Sequence, residues 1–223
     1  MIVIPACNEG PRIGKVVSEC RLVCPEVSVV VVVNGCSDDT EEQAISAGAT
    51  VIHSNHGYGE ALLAAYRHAA QSSHLPWLLQ MDADGQHPAQ SIPVLLDALE
   101  SADLSIGSRL APGGSAPGWS PSRRWTIALM ASVTKFLSGL SVRDVSSGFQ
   151  AMRPEVVHHL AADFPTDLTD ANVLVRLHRK GFQIVEVPVR MQPRDGGGSM
   201  HGGIKSLIYA GRTLIAVRSE MQG

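Results

Sequence analysis

Two carboxylates one residue apart, Asp82 and Asp84, close an apolar run in the stretch Leu78-Leu79-Gln80-Met81-Asp82-Ala83-Asp84-Gly85-Gln86-His87-Pro88. Oxygen ligands of this type suit a hard divalent cation, Mg²⁺ or Mn²⁺, which leaves positions open for water and substrate phosphates. A phosphate-bearing substrate is the chemistry that follows. The same spacing also makes an acidic turn that caps the next helix, and Asp-x-Asp alone leaves both readings open. Further polar groups stand where apolar runs give way to helical patterns. Asn8 and Glu9 follow the first run; they could accept hydrogen bonds from a base or ribose, or cap the helix behind them. Asn34 closes the second run and Arg109 a later one. An arginine there either stands beside a diphosphate or is ion-paired within the fold. Asp167 and Asp170 precede a late helix. A carboxylate in that place caps the helix, the simpler reading, or serves as a general base within reach of the proton it takes. Trp119 with Arg123 and Arg124 could hold an anionic acceptor or lie solvated on a helix surface.

These residues need elements to carry them. Ile2 to Ile4 reads as a strand ended by Pro5, and Ile13, Val16, Val17 and Cys20 lie at helical spacing within 12–22. Val27 to Val33 has the β-branched continuity of a central strand buried on both faces. Strands are likewise expected near 49–52, 77–81, 103–107 and 182–189, the last demoted to an edge or a bulge because it holds Pro188. Helices are expected over 61–70, 91–100, 124–137, 170–180 and 204–218, and 142–152 reads as a loop and a strand. Such alternation predicts an α/β domain whose candidate residues share the carboxyl edge of a mostly parallel sheet, where nucleotides bind in open α/β folds. Glycines at 196–198 and 202–203, after Arg194 and around Ser199-Met200-His201, suggest a loop that closes over a ligand. Gly57-x-Gly59 lacks the third glycine and the Lys-Ser/Thr of a phosphate loop.

Composition sets the outer limits. The 223 residues suffice for one large domain, and 44% apolar with 17% charged content is that of an ordinary folded chain. A net charge of −3 gives no reason to expect nucleic acid. Cys7, Cys20, Cys24 and Cys36 form no zinc spacing, so reduced thiols and a cytoplasmic protein are expected. Met1 leads into Ile2-Val3-Ile4-Pro5 without a basic flank, so no leader is expected. No apolar run approaches the roughly 20 residues of a membrane span. Membrane contact is then at most peripheral, at the membrane surface.

Six motifs in order give the chain a likeness. They are Val3-Ile4-Pro5-Ala6-Cys7-Asn8-Glu9, Val33-Asn34-Gly35-Cys36-Ser37-Asp38-Asp39-Thr40, Met81 to Pro88, Ile106-Gly107-Ser108-Arg109, Ser147-Gly148-Phe149, and Gly181-Phe182-x-Ile184-x-Glu186-Val187-Pro188. Together they resemble the family 2 glycosyltransferases, and within them the dolichyl-phosphate and polyprenyl-phosphate sugar synthases. The resemblance implies a GT-A (Rossmann-like) three-layer sandwich with a mixed, mostly parallel central sheet. It implies a single domain with a nucleotide-sugar-binding half over 1–110, an acceptor-side half over 111–203 and a C-terminal helix over 204–223. It implies that Pro5, Cys7, Asn8, Glu9, Asn34, Asp82, Ala83, Asp84, Arg109 and Arg194 line the donor site. Asp82, Asp84 and Gln86 would hold Mg²⁺ or Mn²⁺. The implied activity is inverting transfer from a UDP- or GDP-type sugar to a hydroxyl or a polyprenyl phosphate; a homodimer is compatible with it.

The chain also departs from the branch it resembles. Asn34 stands where an Asp is usual, and Ser199-Met200 replaces a Ser-Lys, with His201 next to it as a substitute cation or a metal ligand. Asp170-Ala171-Asn172 takes the place of Gln-x-Glu. These changes favour a hydroxyl acceptor, with Asp170 the first choice of base and Asp167 the second. The competing classes are a sugar nucleotidyltransferase, which would need a Gly-rich basic loop in place of Ala6-Cys7-Asn8-Glu9, and a non-catalytic nucleotide-sugar-binding subunit, which would not keep Asp82 and Asp84.

Overall fold

A computed structural model of the chain describes residues 1–193, 211 and 215–221. Arg194, His201, the glycine cluster and most of the helix expected over 204–218 lie outside the described residues.

The first half alternates strand and helix: β1 (Ile2–Ala6), α1 (Gly10–Val23), β2 (Val29–Val33), α2 (Thr40–Ser46), β3 (Thr50–His53), α3 (Tyr58–Ala70) and β4 (Leu78–Gln80). Then come α4 (Ile92–Asp97), flanked by 3₁₀ turns at Ala89–Ser91 and Ala98–Glu100, and β5 (Leu104–Ser108). The remainder holds α5 (Pro121–Ser138), β6 (Gln150–Met152), α6 (Pro154–Ala162), α7 (Ala171–Arg179) and β7 (Ile184–Pro188). The seven strands lie in the order β3-β2-β1-β4-β6-β5-β7. All pairs are parallel except those of β6, which runs antiparallel to both β4 and β5. The expected mixed, mostly parallel sheet is therefore present, and of the two places open to a strand with Pro188, an edge or a bulge, β7 takes the edge.

The five valines of β2 show how the sheet organises two cores. Successive side chains of a strand point to opposite faces. Val30 and Val32 join Val3 of β1 and residues of α3, α5, α6 and α7 on one face. Val29, Val31 and Val33 join Ile2 and Ile4 of β1 and residues of α1, α2 and α4 on the other. Both faces are covered, which is why β2 reads as an unbroken apolar run. The layers are helix, sheet, helix.

Three local expectations are corrected. β1 does not end at Pro5 but runs through it to Ala6, with Pro5 level with Val32. Val3 receives its bond from Met81 of the β4 chain, while Ile2 and Ala6 bond towards β2. In a parallel ladder residue 5 must face the β4 side, where pairing has stopped at Val3 and Gln80, so its missing donor costs no ladder bond. The helix expected over 91–100 is split by 3₁₀ turns around α4. The helix α6 lies outside the expectations altogether, although Pro154 at its start, Glu155 in its first turn and buried Val156, Val157 and Leu160 were readable signals.

Candidate active site

From β1 the chain builds outward one way to β2 and β3 and the other way to β4. The loops after β1 and β4 therefore part at the carboxyl ends of the strands, and such a switch point leaves a crevice in an open α/β sheet. Asn8 and Glu9 leave β1 there, Asn34 leaves β2, Asp82 and Asp84 follow β4, and Arg109 follows β5.

The loops after β1 and β2 are stitched into one platform. Asn8, at φ 56°, accepts the Ser37 N–H on its Oδ1 at 2.8 Å, the kind of left-handed position that Asn tolerates. The Glu9 N–H donates to Thr40 Oγ1 at 2.8 Å, and the Gly10 N–H to Asp38 Oδ2 at 3.0 Å. Glu9 sits at the N-cap position of α1 without a side-chain cap, and its carboxylate meets Arg12 instead. Cys7 is exposed, and hydrogen bonding and charge from Cys36 add to burial in raising its thiol pKa. The backbone N–H of Asn34 donates to Ala6 C=O at 3.2 Å. Its buried side-chain Oδ1 accepts no hydrogen bond. A buried acceptor without a donor is costly unless a ligand completes it.

Asp82 is gripped from two sides. Tyr58, the first residue of α3, donates its hydroxyl to Oδ1 at 2.9 Å. Behind it, Gln80 Nε2 donates to Tyr58 Oη at 3.5 Å, and Tyr66 Oη donates to Gln80 Oε1 at 2.5 Å. Every link in this chain of four side chains has a matched donor and acceptor. Tyr58 is part-exposed, and burial of its hydroxyl followed by the Asp82 charge holds its pKa well above the usual value. On the other side, the Asp82 backbone N–H donates to His87 Nδ1 at 2.9 Å, and His87 Nε2 lies 3.5 Å from Oδ2. Because Nδ1 is an acceptor, the proton of the neutral ring is on Nε2, facing the carboxylate. His87 is buried and stacked on Phe149 at 4.9 Å. Burial lowers its pKa, outweighing the upward pull of Asp82 and Asp84.

Gly148 closes the wall, since a Cβ there would lie 3.1 Å from both Asp82 Oδ1 and Tyr58 Oη. Asp84 accepts the Gln86 N–H on Oδ1 at 3.0 Å, across Gly85 at φ 76°. Gln86 in turn accepts the Gln192 N–H at 2.9 Å and donates its own amide to Gln192 C=O at 3.4 Å. Among the described residues no three His, Cys, Asp or Glu side chains converge into a metal cage. Two carboxylates and a nearby amide oxygen are nonetheless a fitting donor set for a hard cation that keeps open positions.

Arg109 adopts the ion-paired alternative. Its Nε and Nη2 contact the fully buried Asp144 at 2.6 and 2.7 Å, and its guanidinium lies 4.2 Å from the centre of the Trp119 ring. Asp170 occupies the N-cap position of α7, but the expected side-chain cap is not made. The loop that leads to it packs against the start of α3, where the Thr166 carbonyl meets Gly59, next to Tyr58. Asp167 is exposed on the preceding loop. Tyr58, Gln80, Tyr66 and His87 were not singled out in the sequence. His87 stood beside the carboxylates and could have been, whereas nothing in the sequence signals the approach of Tyr58 to Asp82.

The model of the family described as "Glycosyl transferase family 2" matches residues 1–161. Polyprenol monophosphomannose synthase of Mycolicibacterium smegmatis is 32% identical over 91% of this chain and 81% of its own. Undecaprenyl-phosphate mannosyltransferase of Micrococcus luteus is 31% identical over 99% of this chain and 96% of its own. Among solved structures, glucosyl-3-phosphoglycerate synthase from Mycobacterium tuberculosis, in complex with Mn²⁺, uridine diphosphate and phosphoglyceric acid, superposes with a TM-score of 0.72. It is 22% identical, over 99% of this chain and 77% of that one, a likeness of fold.

Proposed function

The chain belongs to glycosyl transferase family 2, and from that premise we propose that this glycosyltransferase moves a hexosyl group from a UDP- or GDP-type sugar to a polyprenyl phosphate. The observation that carries the proposal is the pair Asp82 and Asp84, the first braced on both sides, at the switch point of a sheet whose same edge holds the buried, unpartnered Asn34 Oδ1. The lipid-phosphate acceptor is supported by the two mannosyl-transferring relatives named above.

Pro5, Cys7, Asn8, Glu9 and Ala83 line the nucleoside side, and Asn34 Oδ1 accepts an N–H of the base or a ribose hydroxyl. Asp82, Asp84 and Gln86 hold Mg²⁺ or Mn²⁺, which when bound neutralises charge growing on the leaving diphosphate. Tyr58 and His87 fix the carboxylate of Asp82 so that it needs little rearrangement as that charge develops. An acceptor oxygen forms its bond to the anomeric carbon on the face opposite the diphosphate, whose carbon–oxygen bond breaks with both electrons leaving on the diphosphate. The configuration inverts. A phosphate oxygen is already ionised and needs no base. Arg109, balanced by Asp144, orders the loop beyond β5 through Trp119.

A hydroxyl acceptor is the second reading, favoured by one observation: the loop that carries Asp167 and leads to Asp170 packs against the start of α3, where the Thr166 carbonyl meets Gly59, next to Tyr58. There Asp170 would take the hydroxyl proton, with Asp167 further out. The two readings separate in one experiment. The chain is incubated with nucleotide sugars, Mn²⁺, and either polyprenyl phosphates or hydroxyl acceptors, and nucleoside diphosphate release is followed. Asp84→Ala is expected to lower transfer by about a hundredfold or more, on the order of 3 kcal/mol of transition-state stabilisation. Asp170→Asn should leave transfer to phosphate nearly unchanged if no base is used. Unimpaired transfer by Asp84→Ala would sink the metal site, and turnover only with hydroxyl acceptors would replace the first reading by the second.

A further inference from the structure

We propose that Cys7 and Cys36 are a modification site, a pair of thiols that closes into a reversible disulfide at the lip of the crevice. The chain leaves β1 and β2 side by side, with Ala6 level with Val33 and the Asn34 N–H on the Ala6 carbonyl. Gly35, at φ 75°, then turns the second loop. Cys36 is thereby laid against Cys7. Its thiol donates to the Ala6 carbonyl oxygen at 3.4 Å, and its Sγ accepts the Asn8 N–H at 3.4 Å. Those two partners belong to the peptide groups on either side of Cys7, and the two thiols are themselves hydrogen-bonded. A disulfide needs side chains that already meet, and these do so without any movement of β1 or β2.

The other cysteines are placed differently. Cys20 is fully buried with its Sγ 3.3 Å from Met81 Sδ, and Cys24 closes the far end of α1. Cys7 is exposed and Cys36 half-buried, so a small molecule reaches the first and the second stands behind it. Two thiols are half of a soft-metal site. Among the described residues no three His, Cys, Asp or Glu side chains converge, which leaves covalent pairing as the chemistry of this pair. The oxidant is a small disulfide. The Cys7 thiolate attacks one of its sulfurs, the S–S bond breaks, and the departing thiolate takes up the proton that Cys7 lost. The Cys36 thiolate then attacks Cys7 Sγ in the mixed disulfide and expels the second thiolate, which takes up the Cys36 proton. The two cysteines have lost two electrons, and the small disulfide has become two thiols. Burial and then Cys36 raise the Cys7 thiol, so little thiolate is present at neutral pH and the exchange is slow.

The bond alters the platform around it. Two sulfurs in contact as thiols come to about 2.05 Å as a disulfide, and Cys36 loses the proton it gave to Ala6. The loop that moves with it carries the buried, unpartnered Asn34 Oδ1 and the Ser37 N–H that holds Asn8. Weaker donor binding follows. That consequence rests on the proposed function, whereas the bond itself does not.

The full chain is incubated with oxidised glutathione and digested without reduction for mass spectrometry. The expected product joins the Cys7 and Cys36 peptides, leaves Cys20 and Cys24 free, and disappears with dithiothreitol. Cys36→Ser should instead retain glutathione on Cys7, because no second thiol displaces it. Cys7 and Cys36 left unlinked, or Cys7 linked to Cys20 or Cys24, overturns the proposal; an adduct-free Cys36→Ser chain overturns Cys7 as the first attacker. Titration with uridine or guanosine diphosphate and Mn²⁺ reads the consequence. The bridged chain should bind the preferred nucleotide about tenfold more weakly, as for the loss of one hydrogen bond, and dithiothreitol should restore binding. Equal affinity overturns the effect on the donor. No binding by the reduced chain would count against the proposed function, and the peptide map would still decide the disulfide.

Discussion

Asp82 has two supports of different kinds. His87 is fixed by burial and by stacking on Phe149, whereas Tyr58 is fixed by the polar chain through Gln80 to Tyr66. Removing the Tyr58 hydroxyl should therefore loosen the carboxylate while leaving the fold nearly intact. For Tyr58→Phe the Mn²⁺ concentration giving half-maximal transfer is expected to rise about five- to tenfold, and unfolding stability to fall by about 1 kcal/mol. A metal titration of turnover and a urea denaturation curve measure the two effects. An unchanged Mn²⁺ dependence would remove Tyr58 from the site. The carboxylates were legible because Asp-x-Asp is a local pattern at the end of an apolar run. Tyr58 was not, because it reaches Asp82 from 24 residues away in sequence and Gly57-x-Gly59 around it carries no pattern that points to a carboxylate.

Among the elements, α3 begins at Tyr58, three residues ahead of the expected Ala61, and that earlier start brings the phenol to Asp82. Gly59 permits it. A Cβ at Gly59 would lie 2.1 Å from the Thr166 carbonyl oxygen, a backbone atom that cannot step aside. On intrinsic propensity, alanine in a helix is better than glycine by about 1 kcal/mol. The close approach should reverse that sign, and Gly59→Ala is expected to destabilise by roughly 1–3 kcal/mol, the usual cost of overpacking. Thermal or urea denaturation reads it directly; a stabilised variant would show that the loop before α7 does not press on α3. Element types over the first half were legible because each strand and helix carries its own period. β6 could be read only as part of a loop and a strand. Its three residues give no period, and its place between β4 and β5 follows from pairing partners far away in the chain.

For the molecule as a whole, the order β3-β2-β1-β4-β6-β5-β7 gathers the donor-side candidates at one edge of the sheet. A ligand that joins the β1 and β2 loops to the β4 loop should stabilise the folded state by mass action, by about 2.7 kcal/mol at a hundred times its dissociation constant. Thermal unfolding with uridine or guanosine diphosphate and Mn²⁺ should thus rise by several degrees, with the better base giving the larger rise. Asp82→Asn should abolish most of the rise; a full shift in that variant would mean that the nucleotide binds elsewhere. The parallel architecture was foreseeable from alternation, and so was a shared edge. What alternation could not supply was the path by which Gln86 meets Gln192, since that contact joins residues 106 apart.

Pro5 gives that crevice a fixed floor. Pairing between β1 and β4 stops at Val3 and Gln80, and the next rung on that side would need an N–H at residue 5, which proline lacks. Any other residue there would offer the departing β4 chain one more rung to zip onto. The seam would then close by another step, a rise of about 3.3 Å along the strands, and the cleft would become shallower by that amount. A residue with no N–H to donate thus sets how deeply a ligand can sit between the two strands.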